Sequence, residues 1–372
     1  MKINFFAPIN NLGYGQHSYG TIKAFEARGH KVCVVPPFGQ VRFNNEHVDR
    51  WINAREHFDA NNPGVMIFNE EFLTQFCGRP RIGFPVFETE KFIPFQLAGL
   101  RSCDYLMTPT QWGKSVLEAN GLKNIYVVNE GFDPEIFPWI KVSDSENKQD
   151  PFTFLHVGKF EERKGTLQII RCFFKALENE SARLVMHVDN PFTNDYSAIE
   201  KTMTELGFIS TTPVGDNPLI YRRKSLAVIF SPAFENHFEV ANLYQMADAA
   251  VFASRAEGWG LCLLESIVSG IPTIVGNWTG PTEYLSNYYP ELLTLKGVKE
   301  KAKDSTWFIG DRGDWTVPTN ESLEVAIKIA FHRARDFRKT EEWKNHVAMA
   351  RCYTWDHAAK MLEYALQQIL GV

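Results

Sequence analysis

Two stretches carry the residue types and spacings best suited to chemistry. The first is Ser254–Glu265, SRAEGWGLCLLE. It follows an expected strand, Ala249–Ser254, and runs into an expected helix from Leu261. In doubly wound α/β sheets, ligands bind at the carboxyl edge of the strands. Gly258 and Gly260 permit a tight turn and a close backbone approach, and free N–H groups at the next helix start favour an anion such as phosphate. Glu257 precedes the turn, and Glu265 lies one turn into the helix among Leu261, Cys262, Leu263, Leu264, Ile267 and Val268. A carboxylate in such surroundings is costly without a partner. Sugar hydroxyls would serve, at roughly 1.5–3 kcal/mol per charge-assisted bond. A neighbouring arginine or backbone amide would serve equally, and spacing alone leaves both readings open. The second stretch is GKFEERKG, residues 158–165. Lys159 and Lys164 can converge on one anion across this strand-to-helix loop, as ammonium groups do on phosphate. The competing reading is a solvated loop in which Glu161 and Glu162 offset the lysines.

Weaker signals sit in the first half. The loop NNLGYGQHSYG places Gly13, Gly15 and Gly20 after the first strand. It resembles G-x-G spacing, but no acidic residue ends the second strand, which counts against a nicotinamide dinucleotide. His17 could touch a substrate, although a lone loop histidine is more often a surface residue. In GFPVFETEKFIP, residues 83–94, the cluster Glu88, Thr89 and Glu90 could face an interdomain cleft or simply solvent. There is no D-x-D, H-E-x-x-H or Cys/His cluster, so no metal site is expected. The absence of G-x-S-x-G and G-x-x-x-x-G-K-[ST] removes the usual support for a serine hydrolase or a P-loop protein.

Two successive α/β units must position these residues. The first runs through Ile3–Ala7 (strand), His17–Arg28 (helix, closed by Gly29) and Lys31–Val35 (strand), with further strands expected at 65–68, 81–84, 105–108 and 125–128. The stretch FPWIKVSDSENKQDP, residues 137–151, reads as the linker. The rhythm then restarts with Phe152–Val157 (strand), Thr166–Leu177 (helix) and Leu184–Val188 (strand), and recurs at 249–275. The resulting division is residues 1–140, residues 150–350 and a terminal segment 351–372. Trp355, Ala358, Met361, Leu362, Ala365 and Ile369 make that last segment an amphipathic helix, able to dock on either domain and assigned here a crossing back to the first.

Composition agrees with this division. A chain of 372 residues suggests two or three domains, and 44% hydrophobic with 22% charged residues is ordinary for a globular protein. A net charge of −5 gives no global attraction to nucleic acid or anionic lipid. A local patch is conceivable only around Arg42, Arg50, Arg55, Arg79 and Arg81. The six cysteines are scattered, with no C-x-x-C, and read as reduced thiols of a cytoplasmic protein. No apolar run is long enough for a membrane span, which leaves only peripheral membrane contact.

Taken together, these motifs resemble those of retaining GT-B glycosyltransferases of family four, also called glycosyl transferases group one. That family shows G-[RK]-x(4)-K-G and, about a hundred residues later, E-G-[FW]-G-x(4)-E; here they read GKFEERKG (158–165) and EGWGLCLLE (257–265). The RGHKV turn at 28–32 and TPTQWGKSVLEANGL…VVNEGFDPEIF (108–137) extend the similarity over most of the chain. The resemblance implies an α/β fold of two Rossmann-like parallel-sheet domains facing each other across a cleft. It implies a metal-independent transfer of a hexose, with retention, from a nucleotide diphosphate sugar of the UDP-glucose or GDP-mannose type, and no further cofactor. Glu257 would contact the transferred sugar, and Lys159 and Lys164 the diphosphate. Glu265 would hold the ribose, and Gly258, Trp259 and Gly260 would present amides to sugar and phosphate. Gly13 and Gly15 would let the first domain close over the diphosphate, while His17 and Glu88 would border the acceptor. Glu283 matches a further family acid without an assigned role. The acceptor is open: a glycan, lipid, small molecule or nucleic acid. A non-catalytic nucleotide-sugar-binding module and a DNA-modifying glycosyltransferase are the alternatives.

Overall fold

The computed structural model describes residues 1–37, 41, 45–140, 151–189, 195–213, 218–234, 236–285, 289–303 and 308–372. Most of the expected linker, residues 141–150, lies outside the described residues, as does Arg42. The first unit contributes β1 (Lys2–Phe6), β2 (Lys31–Val35), β3 (Gly64–Met66), β4 (Arg81–Gly83), β5 (Tyr105–Thr108) and β6 (Ile125–Val127). They form one parallel sheet in the order β2-β1-β3-β4-β5-β6. Its helices are α1 (Gly13–Ala27), α2 (Glu46–Asn53), α3 (Pro94–Arg101) and α4 (Gln111–Ala119).

The second unit contributes β7 (Phe152–Lys159), β8 (Ala182–Asp189), β9 (Ile209–Ser210), β10 (Leu219–Arg223), β11 (Leu226–Phe230), β12 (Ala249–Val251), β13 (Thr273–Gly276) and β14 (Thr294–Leu295). Their order is β14-β13-β12-β7-β8-β11-β10-β9, parallel from β14 to β11 and antiparallel at the β11-β10-β9 edge. Its helices are α5 (Thr166–Leu177), α6 (Ser197–Glu205), α7 (His237–Met246), α8 (Leu261–Val268), α9 (Asn320–Phe337) and α10 (Glu341–Ala350). A separate antiparallel hairpin pairs β15 (Gly297–Lys301) with β16 (Asp314–Pro318).

The helix expected from His17 starts four residues earlier. The Asn10 side chain accepts the Leu12 N–H at 2.9 Å, which turns the chain and lets α1 begin at Gly13. Gly13 and Gly15 therefore lie in the first helical turn instead of a preceding loop. Ile22 and Phe25 bury this helix on β1 and β2, and such packing outweighs the low helix propensity of its glycines.

The terminal helix α11 (Trp355–Leu370) crosses back and packs on α1. Ala359, Leu362, Ala365 and Leu366 join the first unit's core. Gly20 makes the approach possible, since a Cβ there would sit 2.3 Å from the Trp355 ring. The RGH turn then anchors the helix: Arg28 Nε donates to Glu363 at 2.8 Å, and His30 Nε2 lies 3.2 Å from the same carboxylate.

Candidate active site

The carboxyl edges of both sheets line a shared cavity of about 460 Å³. On the second unit's side its floor is the loop between β12 and α8. Gly260 holds φ +92°, a left-handed conformation suited to glycine, and caps the N-terminus of α8. Gly258 meets the opposite domain: a Cβ there would lie 2.5 Å from Val86 Cγ1 and 2.8 Å from the Phe87 carbonyl oxygen. Trp259 lines the cavity too, with its indole buried against Tyr284 and Tyr353.

Glu257 hangs from this loop as the hub of a charge network. Its Oε1 accepts Lys164 Nζ at 2.6 Å, and its Oε2 accepts the Arg163 guanidinium at 3.0 Å. Its backbone N–H donates to Thr279 Oγ1 at 3.0 Å. Burial would raise its pKa, but Lys164 and Arg163 outweigh that and hold it at about 2. Arg163 also donates to the Ala256 carbonyl at 2.6 Å and to Glu161 at 3.2 Å, and it lies 3.3 Å from Glu88 of the first domain. Arg163 is an addition to the expected pair of lysines that flank the loop. The signal was present, because an arginine two residues before the helix-capping Gly165 can reach the strand edge. Lys159 reaches the cavity too, with its Nζ 2.6 Å from Glu161.

Glu265 sits elsewhere. It is buried in α8, its Oε1 is 3.0 Å from His237 Nε2, and its Oε2 accepts the Tyr244 hydroxyl at 3.3 Å. It is not among the residues lining the cavity. Burial disfavours charge on His237, but the Glu265 carboxylate overcomes this and raises the imidazole above its ordinary value. Glu283 spans the domains: it accepts the Gln111 N–H at the start of α4 at 2.8 Å and faces Asn129 at 3.4 Å. A carboxylate at a helix N-terminus is favoured by the helix dipole.

The first-domain wall is acidic. Glu70, Glu71, Glu88 and Glu130 line the cavity with Tyr14, His17, Phe68 and Phe87. Gly13 faces open space, whereas a Cβ on Gly15 would lie 2.1 Å from the Asn10 carbonyl oxygen. Gly15 thus serves the packing of the α1 start. His17 belongs to α1 and not to a loop, is 1% exposed, and lines the cavity. Burial pushes its pKa to about 3, so the ring is neutral. Burial also raises Glu70 to about 8, and it raises Glu88 and Glu130 with help from neighbouring carboxylates. Neither Glu70 nor Glu130 stands out in the sequence, since only the fold brings their distant segments to one cavity.

Two facing α/β domains with a shared cleft define the GT-B architecture of glycosyltransferases. Solved structures bear this out: the sucrose-phosphate synthase of Thermosynechococcus elongatus aligns with a TM-score of 0.69 at 13% identity, covering 100% of this chain and 99% of that one. An Anabaena protein, HepE, solved in complex with UDP-glucose, aligns with a TM-score of 0.66 at 17% identity over 100% of both chains. Residues 139–314 match the family model described as Glycosyl transferases group 1. The mannosylfructose-phosphate synthase of Agrobacterium fabrum is 30% identical over 203 residues, which are 51% of this chain and 41% of that relative.

Proposed function

We propose that this protein is a retaining hexosyltransferase that uses a nucleotide diphosphate sugar of the UDP-glucose or GDP-mannose type and needs no metal. One observation carries the reading: a buried, ionised Glu257 bracketed by Lys164 and Arg163 at the floor of an interdomain cavity. Breaking the anomeric C–O bond puts new negative charge on the leaving diphosphate and makes the sugar oxocarbenium-like. Fixed cations and amide dipoles act best where charge develops. Lys164, Lys159 and the start of α8 would receive the diphosphate, and Glu257 would hold hydroxyls of the transferred sugar. Arg163 positions Glu257 and links it to Glu88 across the cleft. Domain closure would exclude the water that otherwise hydrolyses the donor.

The acidic first-domain wall disfavours a nucleic acid backbone as acceptor. Two of the arginines of the conceivable basic patch are also engaged, Arg50 with Glu26 and Arg81 with the Leu73 and Ser102 carbonyls. No described helix is long and apolar enough to cross a membrane. All six cysteines are free thiols, which supports a cytoplasmic assignment.

The test is a thermal-shift panel of nucleotide sugars, with and without magnesium, because a ligand that binds only the folded state raises Tm by mass action. A nucleoside diphosphate should raise Tm equally in both conditions, Lys164→Ala should abolish the shift, and Glu257→Gln should keep the shift but lose donor turnover. A shift that needs magnesium would overturn the metal-free reading. Glu265→Ala should weaken the shift if its carboxylate leaves His237 for a ribose; an unchanged shift would reduce Glu265 to a structural partner of His237 and Tyr244.

A further inference from the structure

The charges around the cavity are unevenly matched. On the second-domain side Lys159, Arg163 and Lys164 pair with Glu161 and Glu257, and Arg312 adds a fourth cation. On the first-domain side the described lining residues hold four carboxylates and no lysine or arginine. Glu88 shares Arg163. Glu70 and Glu71 both accept from Gln96 at 3.2 and 3.3 Å, and Gln96 is in turn held by Arg312, whose Nε donates to the Ile309 carbonyl at 2.9 Å.

Glu130 is left over. It is 3% exposed and lines the cavity. Among the described residues its ion-pair partner is His17, with Nδ1 3.7 Å from Glu130 Oε1, and the Glu88 and Glu257 carboxylates add repulsion. That imidazole is neutral and cannot compensate a carboxylate. Both nitrogens of His17 are buried and have no hydrogen-bond partner. A buried acid whose ionised form is disfavoured for want of a cation and a buried imidazole without a hydrogen-bond partner, at one cavity wall, are both costly in an empty site. A ligand that supplies a cation and hydroxyls would relieve both.

We infer that the acceptor is a hydroxylated small molecule bearing an ammonium group, of the amino-sugar or aminocyclitol class, with its ammonium at Glu130 and a hydroxyl at His17. This rests on the transferase reading above and adds the acceptor's charge. The ammonium would form a charge-assisted pair with Glu130 and return the carboxyl to its ionised form. The neutral imidazole can donate from one nitrogen and accept at the other, which suits a hydroxyl. Tyr14, Phe68 and Phe87 supply flat apolar surface for the ring. A phosphorylated acceptor would meet the carboxylates and be repelled.

The test measures binding of glucosamine, glucose and glucose 6-phosphate by calorimetry, in the presence of a saturating nucleoside diphosphate and at a pH where the amine is protonated. Glucosamine should bind at least about tenfold more tightly than glucose, as one charge-assisted contact provides, and glucose 6-phosphate should bind most weakly. Glu130→Gln, which keeps the side chain's shape, should erase the preference for glucosamine while leaving nucleoside diphosphate affinity unchanged. Equal affinities, no binding of any of the three, or tightest binding of the phosphate ester would overturn the inference. The nucleoside diphosphate titration in the same experiment reports separately on the donor reading: its failure, with glucosamine preference intact, would sink the transferase proposal and not the ammonium site.

Discussion

Glu257 and Glu70 show how one residue type takes opposite roles within a single cavity. Glu257 faces two cations and stays ionised down to about pH 2. Its folded pKa is depressed, so its ion pairs stabilise the protein above the unfolded value near 4.5 and are lost as pH falls towards 2. Glu70 is buried beside Glu71 and Glu88 and titrates at about 8. Its folded pKa is raised, so the sign reverses: its contribution is whole below about pH 4.5 and is lost as pH rises to 8. Glu70→Gln should therefore raise the unfolding free energy progressively between pH 5 and 8, by on the order of 2 kcal/mol at the upper end, and level off above. Denaturant titrations of both proteins across that range check this, and a pH-independent difference would contradict it. His17 adds acid sensitivity. Its pKa falls on folding to about 3, so the stability tied to its neutral form is present above about 6.5 and declines below.

At the scale of elements, α1 does two jobs that its glycines separate. Gly20 lets Trp355 of α11 approach, and a larger side chain would strike the indole. Gly20→Val should cost about 1–3 kcal/mol through overpacking and backbone shift, read as a lower denaturation midpoint. Gly13 faces open cavity space at the first turn of the same helix. Gly13→Ala should leave stability unchanged or slightly raised, yet diminish the Tm shift given by a nucleoside diphosphate, because the methyl group would stand in the volume assigned to the donor. If both variants lowered stability alike and left ligand response intact, the division of labour along α1 would be wrong. The hairpin β15–β16 also has a positional task. Trp315 Nε1 donates to the Glu88 carbonyl at 2.9 Å, and Arg312's carbonyl accepts from Glu90 and Lys91 at 3.1 Å each. This strap sets the segment that presents Glu88 to Arg163.

For the whole molecule, one close point of domain approach has no room for a side chain. Gly258 lies against Val86 and Phe87, and Glu283 clasps the start of α4 from the opposite unit. Gly258→Val should hold the domains apart: the radius of gyration measured by small-angle scattering should rise and donor turnover should fall, while far-UV circular dichroism stays unchanged. An unaltered radius with unaltered turnover would show that the two domains need not meet at this point. The helix α11 ties the ends of the chain together, so the two units share one brace as well as one cleft.

Local patterns made the two-unit organisation legible, because strand and helix periodicity and the glycine turns after β7 and β12 depend on neighbours in sequence. The spans Lys31–Val35, Tyr105–Thr108 and Thr166–Leu177 come out residue for residue. The pairing of Glu257 with Lys164 is invisible at that level, since they lie 93 positions apart and meet only when β12 sits beside β7. The antiparallel edge β9–β11 and the strap β15–β16 escaped notice because their partners, not their periodicity, make them strands. Tertiary structure also decided what each buried group faces: Arg163 joined Glu257, Glu265 turned to His237, and His17 came to lie beside Glu130. Burial and long-range charge set those choices, and neither is a property of a residue's neighbours in the chain.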